Sequence, residues 1–246
     1  MNNVHFTQSH FIFILGLLAY FHPAIHTLAV GVDKEMFFTL NGSLAYSNAW
    51  QNLMMLLNHK YEKIALPIAL ISINLYIILK AKKEERVKYI SYTIITLLFL
   101  EFAIALNYYL FSDLMEVRRA SPSIVLKPFI SLTDIFNNPL VKTVSDKSFP
   151  GDHAFVLTVW SIITWQYASR CVRAVIFTIG LFIIPARLVG GAHWFSDVAF
   201  SMAFGYLLCS YLIGTSAWHK ATNSLESFLL KYTKGKLPKK KKAKVK

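Results

Sequence analysis

Long apolar runs limit what this chain can fold into more than any other feature. Six of them cover approximately residues 9–30, 64–80, 88–111, 152–169, 172–189 and 196–217. A helix needs about 20 mostly apolar residues to cross a hydrocarbon core about 30 Å thick. Only 16% of the residues are charged and 55% are hydrophobic, whereas soluble domains carry roughly 25% charged residues. The sequence therefore predicts an all-α, polytopic membrane protein: a six-helix bundle over 1–219, followed by a basic tail over 220–246. The first run carries His22, Pro23 and His26 and should end or kink there. Glu101 and Asn107, inside the third, should face protein, because a carboxylate in lipid is costly. The amino terminus has no basic n-region and no small-residue cleavage site, so the first run is expected to be retained. Two cysteines, Cys171 and Cys209, frame no disulfide scaffold and lack metal-ligand spacing.

The formal net charge is +13, and its placement matters more than its size. The loop Lys80–Lys88, the turn Arg170–Arg173 and the tail from Lys220 hold seventeen Lys/Arg and three acids. The rest of the chain holds nine Lys/Arg and ten Asp/Glu. The positive-inside rule puts the basic side, with both termini, in the cytoplasm. The lysine-rich tail reads as a disordered segment drawn to anionic lipid, at about 1 kcal/mol per lysine near the surface. It lacks aromatic interleaving and a fold to present it, so nucleic acid is not an expected partner. The opposite face receives segments 31–63, 112–151 and 190–195. Within the first of these, Asp33–Asn41 has the spacing of an interfacial amphipathic helix.

Three clusters fall on that opposite face: Arg118-Arg119-Ala120-Ser121-Pro122, then Ser148-Phe149-Pro150-Gly151-Asp152-His153, and finally Arg187 to Asp197 with His193 between. If the sixth helix begins near Ala192, His193 and Asp197 share a face, and the carboxylate can hold the imidazole. A histidine so fixed is a good nucleophile or base. Gly151, Asp152 and His153 open a helix whose free N–H groups suit an anion. Arg187, Arg119 and Arg118 offer guanidinium forks to phosphate oxygens. Together these describe a phosphoryl-transfer site that requires no metal and no cofactor.

The pattern resembles the type 2 phosphatidic acid phosphatase (PAP2) superfamily, whose three signatures are Lys-x6-Arg-Pro, Pro-Ser-Gly-His and Ser-Arg-x5-His-x3-Asp. Arg187-x5-His193-x3-Asp197 has the spacing of the third, and Pro150-x-x-His153 that of the second. The resemblance implies His193 as a nucleophile that becomes a phosphohistidine, Asp197 as its orienter, His153 as the general acid and Arg187 as a phosphate ligand. Three departures stand out. Lys-x6-Arg-Pro is replaced by Arg-Arg-Ala-Ser-Pro, Ser-Arg by Ala186-Arg187, and Pro-Ser-Gly-His by Pro-Gly-Asp-His. These variants are similar to the lipid A 1-diphosphate synthase branch of the superfamily. That likeness implies transfer of a phosphate from undecaprenyl diphosphate to the 1-phosphate of lipid A, at the periplasmic face of a bacterial inner membrane. Hydrolysis of undecaprenyl diphosphate or lipid A 1-phosphate is the alternative, and the oligomeric state is left open.

Plainer readings stand beside these. Asp152 is equally well read as a helix cap or as a chemical group that disfavours water as acceptor. Arg118 and Arg119 are also suited to anchoring a span at the interface, and Trp194 and Phe195 to an aromatic belt. Ser148 reads as a turn or cap residue. His22, His26, His59 and His219 read as interfacial; Lys127, Lys142 and Lys147 read either as contacts to a polyanionic lipid headgroup or, more plainly, as solvated loop charge.

Overall fold

The structure, a computed structural model, describes residues 8–234; residues 1–7, the lysine run 235–246 and the side chains of residues 8–10, 12, 13, 17, 233, 234 and His26 lie outside the described part. The described residues form eleven α-helices and no β-strand. These are α1 Gln8–Tyr20, α2 Pro23–Gly42, α3 Asn48–Leu57, α4 Glu62–Lys80, α5 Arg86–Tyr108, α6 Pro122–Val125, α7 Leu132–Ile135, α8 Asp152–Trp165, α9 Arg170–Val189, α10 Phe195–Ile213 and α11 Ser216–Lys234. The helix α5 continues through a π-turn, Tyr109–Leu114. The fold is that of a multi-pass helical membrane protein.

Four helices are long and apolar enough to cross a membrane: α4, α5 with its π-turn, α9 and α10. A fifth candidate is the pair α1 and α2, which bend by 77° at the break before Pro23. Proline lacks an N–H and fixes φ, so the helix restarts there with Pro23 in its first turn. The count by length is thus four or five, against six runs in the sequence. The fourth run is the reason. It gives only the 14-residue α8, about 21 Å long at 1.5 Å per residue. Pro150 and Gly151 stop it at one end and the segment 166–169 at the other. The helix sits in the middle of the bundle against α5, α9 and α10. Phe155, Leu157, Val159, Trp160 and Ile163 are all buried there.

Two sequence expectations change. Glu101 is exposed on the outer face of α5, because Thr96, Leu100, Ala103 and Asn107 form the buried stripe at helical spacing. Asn107 does face protein. The segment read as a disordered tail is helical through Lys234, and α11 runs through the boundary drawn at 219/220. Its Trp218 is buried and meets Phe99 of α5 edge-on at 6.0 Å. That apolar contact seats the start of the helix on α5, and Thr222, Leu225, Leu229 and Leu230 continue the covered face.

The segment Asp33–Asn41 is helical as expected, but as the continuation of α2 into the protein. Asp33, Phe37 and Asn41 are buried on one side of it. The turn from α9 into α10 needs two glycines. Gly191 has φ +79°, and a Cβ there would stand 3.0 Å from Phe37 and Ser123. At Gly190 a Cβ would stand 3.0 Å from the Asn58 amide. Both open the space that lets α2 and α3 approach the turn carrying His193.

Candidate active site

The three clusters do converge, through backbone pairing of two loops. Ser148 N donates to the Arg119 carbonyl at 2.7 Å, and Ser121 N to the Ser145 carbonyl at 2.8 Å. The Arg118–Pro122 segment therefore braces the loop that enters α8. The Trp194 indole is buried and donates to the Ala120 carbonyl at 2.8 Å, fixing the start of α10 to the same loop. Trp194 is thus a clamp inside the protein rather than a belt residue; Phe195 is exposed.

His193 is nine-tenths buried, and its Nδ1 lies 2.6 Å from the Ser148 carbonyl oxygen. A carbonyl only accepts, so Nδ1 donates to it and Nε2 is the nitrogen turned toward the site. Nε2 faces Asp152, whose Oδ1 is 3.5 Å away. The same Oδ1 lies 2.6 Å from His153 Nδ1. On the far side of that ring, His153 Nε2 is 2.9 Å from Glu62 Oε2 and 3.0 Å from Arg187 Nη2. Flanked by carboxylates at both nitrogens, the His153 ring holds a proton to donate. Arg187, 4% exposed, pairs with Glu62 and donates to Asn58 Oδ1 at 3.3 Å. Its Nε is buried with no acceptor among the described residues. Two imidazoles, a guanidinium with an unused donor and the amino end of α8 thus surround one point, which suits an oxyanion.

The expected His193–Asp197 pair does not form. The helix α10 starts at Phe195, so His193 precedes it and the shared-face geometry fails. Asp197 instead accepts from Trp194 N at 3.0 Å and from Arg119 at 2.6 Å. Free N–H groups and the helix dipole at the start of α10 favour that position for a carboxylate. The backbone of Ser148, read from sequence as a turn residue, does the orienting.

Arg119 is likewise committed elsewhere. It bridges Asp197 and Asp33, at 2.6 and 2.5 Å, donates to Ser196 Oγ at 2.8 Å and to Tyr20 at 3.2 Å, and stacks on Trp194. Burial works against its charge, but Asp197, Tyr20 and Asp33 outweigh it and hold the guanidinium above the usual arginine range. Both terminal nitrogens of Arg119 are thus engaged by protein groups, an arrangement that ties α2, the Arg118–Pro122 segment and the start of α10 together. Arg118 is exposed. Gly151 precedes α8, and its Cα packs toward α10, where a Cβ would lie 3.5 Å from the Asp197 carbonyl. Asp152 is the first residue of α8, not its cap, and its side chain is 60% exposed at the mouth of the site. Asp152, His153 and His193 each place a ligating atom within 4.8 Å of the others, so these are the residues that could hold a cation.

Sequence reasoning missed Glu62, Asn58, Asp33 and Ser196. Asp33 caps α10, accepting from Ser196 N at 2.8 Å and from its hydroxyl at 2.6 Å. Glu62 sits 91 residues from His153 and 125 from Arg187, so no local spacing announces it. Its one signal is a carboxylate at the edge of an apolar run.

An apolar groove reaches the site from the side. It is lined by Leu53, Leu56, Leu57, Leu66, Phe182 and Ile183, has a volume of 680 Å³, and has Glu62 on its wall. Such a lining suits an apolar group.

Comparison with known proteins identifies the family. The pattern of the PAP2 superfamily matches residues 89–220, just over half of the chain. The chain is 29% identical over 188 residues to the lipid A 1-diphosphate synthase of Escherichia coli (strain K12), covering 75% of this chain and 77% of that protein. It also aligns with the crystal structure of a transmembrane PAP2 type phosphatidylglycerolphosphate phosphatase from Bacillus subtilis, at 18% identity and a TM-score of 0.49, over 94% of this chain and 96% of that one. The two-histidine site and the family match together lead to one conclusion: this chain belongs to the PAP2 superfamily.

Proposed function

We propose that this membrane enzyme is a lipid phosphotransferase. It moves a phosphate from undecaprenyl diphosphate to the 1-phosphate of lipid A through a phosphohistidine on His193. The observation that carries the reading is the orientation of His193: Nδ1 is held by the Ser148 carbonyl, and Nε2 faces the site beside Asp152. In the first half-reaction Nε2 attacks the terminal phosphorus of the diphosphate lipid. The P–O bond to the bridging oxygen breaks, and His153 gives its proton to the departing phosphomonoester. Arg187 and the amino end of α8 hold the charge developing on the phosphoryl oxygens. In the second half-reaction an oxygen of the acceptor phosphate attacks phosphorus and the P–N bond breaks, freeing His193.

The name of the E. coli relative supports the acceptor, and the apolar groove beside Glu62 supports a lipid on either side of the transfer. The charge pattern, with the basic loops on one side, supports a site on the periplasmic face of a bacterial inner membrane. The second reading, a lipid phosphatase, shares the first half-reaction and differs only in taking water as acceptor. The Asp152 carboxylate stands 3.5 Å from Nε2, where a charged group bears on which acceptor is positioned against phosphorus. Purified protein given labelled undecaprenyl diphosphate with and without lipid A separates the two. Label on lipid A supports transfer; free phosphate released at one rate in both, with no labelled lipid A, overturns it.

A further inference from the structure

Lys142 does not behave as solvated loop charge. Its backbone N–H donates to the Asn58 carbonyl at 2.8 Å, and Lys60 N donates to the Leu140 carbonyl at 2.8 Å. A bridge between His59 and Val141 lies between them. This pairing seats a loop from the middle of the chain on the turn between α3 and α4. Asn58, in that turn, reaches Arg187 with its side chain, and Glu62 follows at the start of α4. Lys142 is half-buried there, Lys63 is exposed one residue after Glu62 on α4, and the charges of Lys63, Asp152 and Arg187 act on the Lys142 ammonium. Neither lysine makes an ion pair among the described residues, which hold six such contacts, three of them on His153 or Arg187. Two ammonium groups side by side next to a guanidinium repel one another unless an anion joins them.

We propose that Lys63 and Lys142 form a second phosphate subsite, adjoining the Arg187–His153–His193 site, which holds the phosphate that stays on the lipid while its neighbour is transferred. The inference rests on the transferase reading and gives that reading its specificity. In the first half-reaction the subsite holds the phosphate next to the bridging oxygen, and that phosphate departs as a phosphomonoester. In the second, the acceptor's phosphate must approach phosphorus along the path the leaving group took. The same subsite therefore serves donor and acceptor. An enzyme that only hydrolysed monophosphates would have no need of it. The charge of Lys142 fits this use. Burial, and after it the Lys63 charge, push its ammonium below the usual lysine range, with Arg187 adding to this and Asp152 opposing it. A bound phosphate would reverse that balance.

The test is binding of inorganic pyrophosphate and of orthophosphate to the purified full-length protein in detergent, by calorimetry at constant ionic strength. The wild type should bind pyrophosphate roughly 10- to 100-fold more tightly than orthophosphate, the range given by charge-assisted hydrogen bonds. Lys63→Gln with Lys142→Gln should remove that preference, leave orthophosphate affinity within about threefold and keep the thermal midpoint. Lys142→Arg with Lys63 intact should retain the preference. No preference in the wild type, or a preference that survives the double substitution, overturns the proposal. A lysine-dependent preference in a protein that labels no lipid A would uphold the subsite and sink the transferase reading, so the two failures are distinguishable.

Discussion

At the scale of single residues, the candidate site separates groups placed to act on a phosphate from groups that hold them in position. His193, His153 and Arg187 were legible in the sequence because they lie within short motifs of fixed spacing. Asp197 was legible as important but not in its role, since the expected pairing depended on where α10 begins. Glu62 was invisible for a different reason. Its partners come from α8 and α9, and only the packed bundle brings them to it. Glu62→Gln should reduce kcat by about 10²-fold, within the range for losing a group that positions a general acid. It should also change the pH profile of kcat, which a merely structural substitution would leave alone. Arg119 belongs to the other kind. Arg119→Ala leaves Asp33 and Asp197 buried without their cation, and removal of one partner from such a pair costs about 3–5 kcal/mol. A large fall in the thermal midpoint is expected, together with KM close to wild type in the protein that remains folded. A raised KM without loss of stability would return Arg119 to the phosphate. Asp152→Ala should shift products from labelled lipid A toward free phosphate; an unchanged ratio would exclude a role for Asp152 in choosing the acceptor.

At the scale of elements, periodicity and proline placed most helices, and length decided what each one does. The break before Pro23 was expected from the residue itself, while the 77° bend it permits aims Asp33 at the start of α10. The helix α8 reads in sequence as one span among six. It has only 14 residues and is buried on most sides, and it presents Asp152 and His153 from inside the bundle. Burial on most of its circumference explains why hydropathy alone could not tell it from a lipid-facing helix. The opposite error occurred at α11, where a basic composition concealed the buried contact of Trp218 with Phe99. The turn between α9 and α10 is the most exacting element. Gly191→Ala places a Cβ at positive φ and 3.0 Å from two side chains, so a loss of about 1–3 kcal/mol is expected. Chemical or thermal unfolding would measure it, and a wild-type midpoint would show that the turn relaxes freely.

At the scale of the molecule, charge is divided by function. The basic loops and tail account for the net +13 and bear on orientation. The site itself mixes Arg187, Lys63 and Lys142 with Glu62 and Asp152, so its action depends on placement rather than on total charge. A 680 Å³ apolar groove on one side and charged groups at its end match a substrate that is mostly hydrocarbon with a phosphate head. The central claim is the covalent intermediate. Purified protein should be mixed with diphosphate lipid carrying ³²P in its terminal phosphate, quenched in base, and digested. The account predicts acid-labile, base-stable label on the peptide containing His193, absent from His193→Asn and chased onto added lipid A. Label that persists in His193→Asn, or product formed by wild type with no labelled peptide at any quench time, would contradict it.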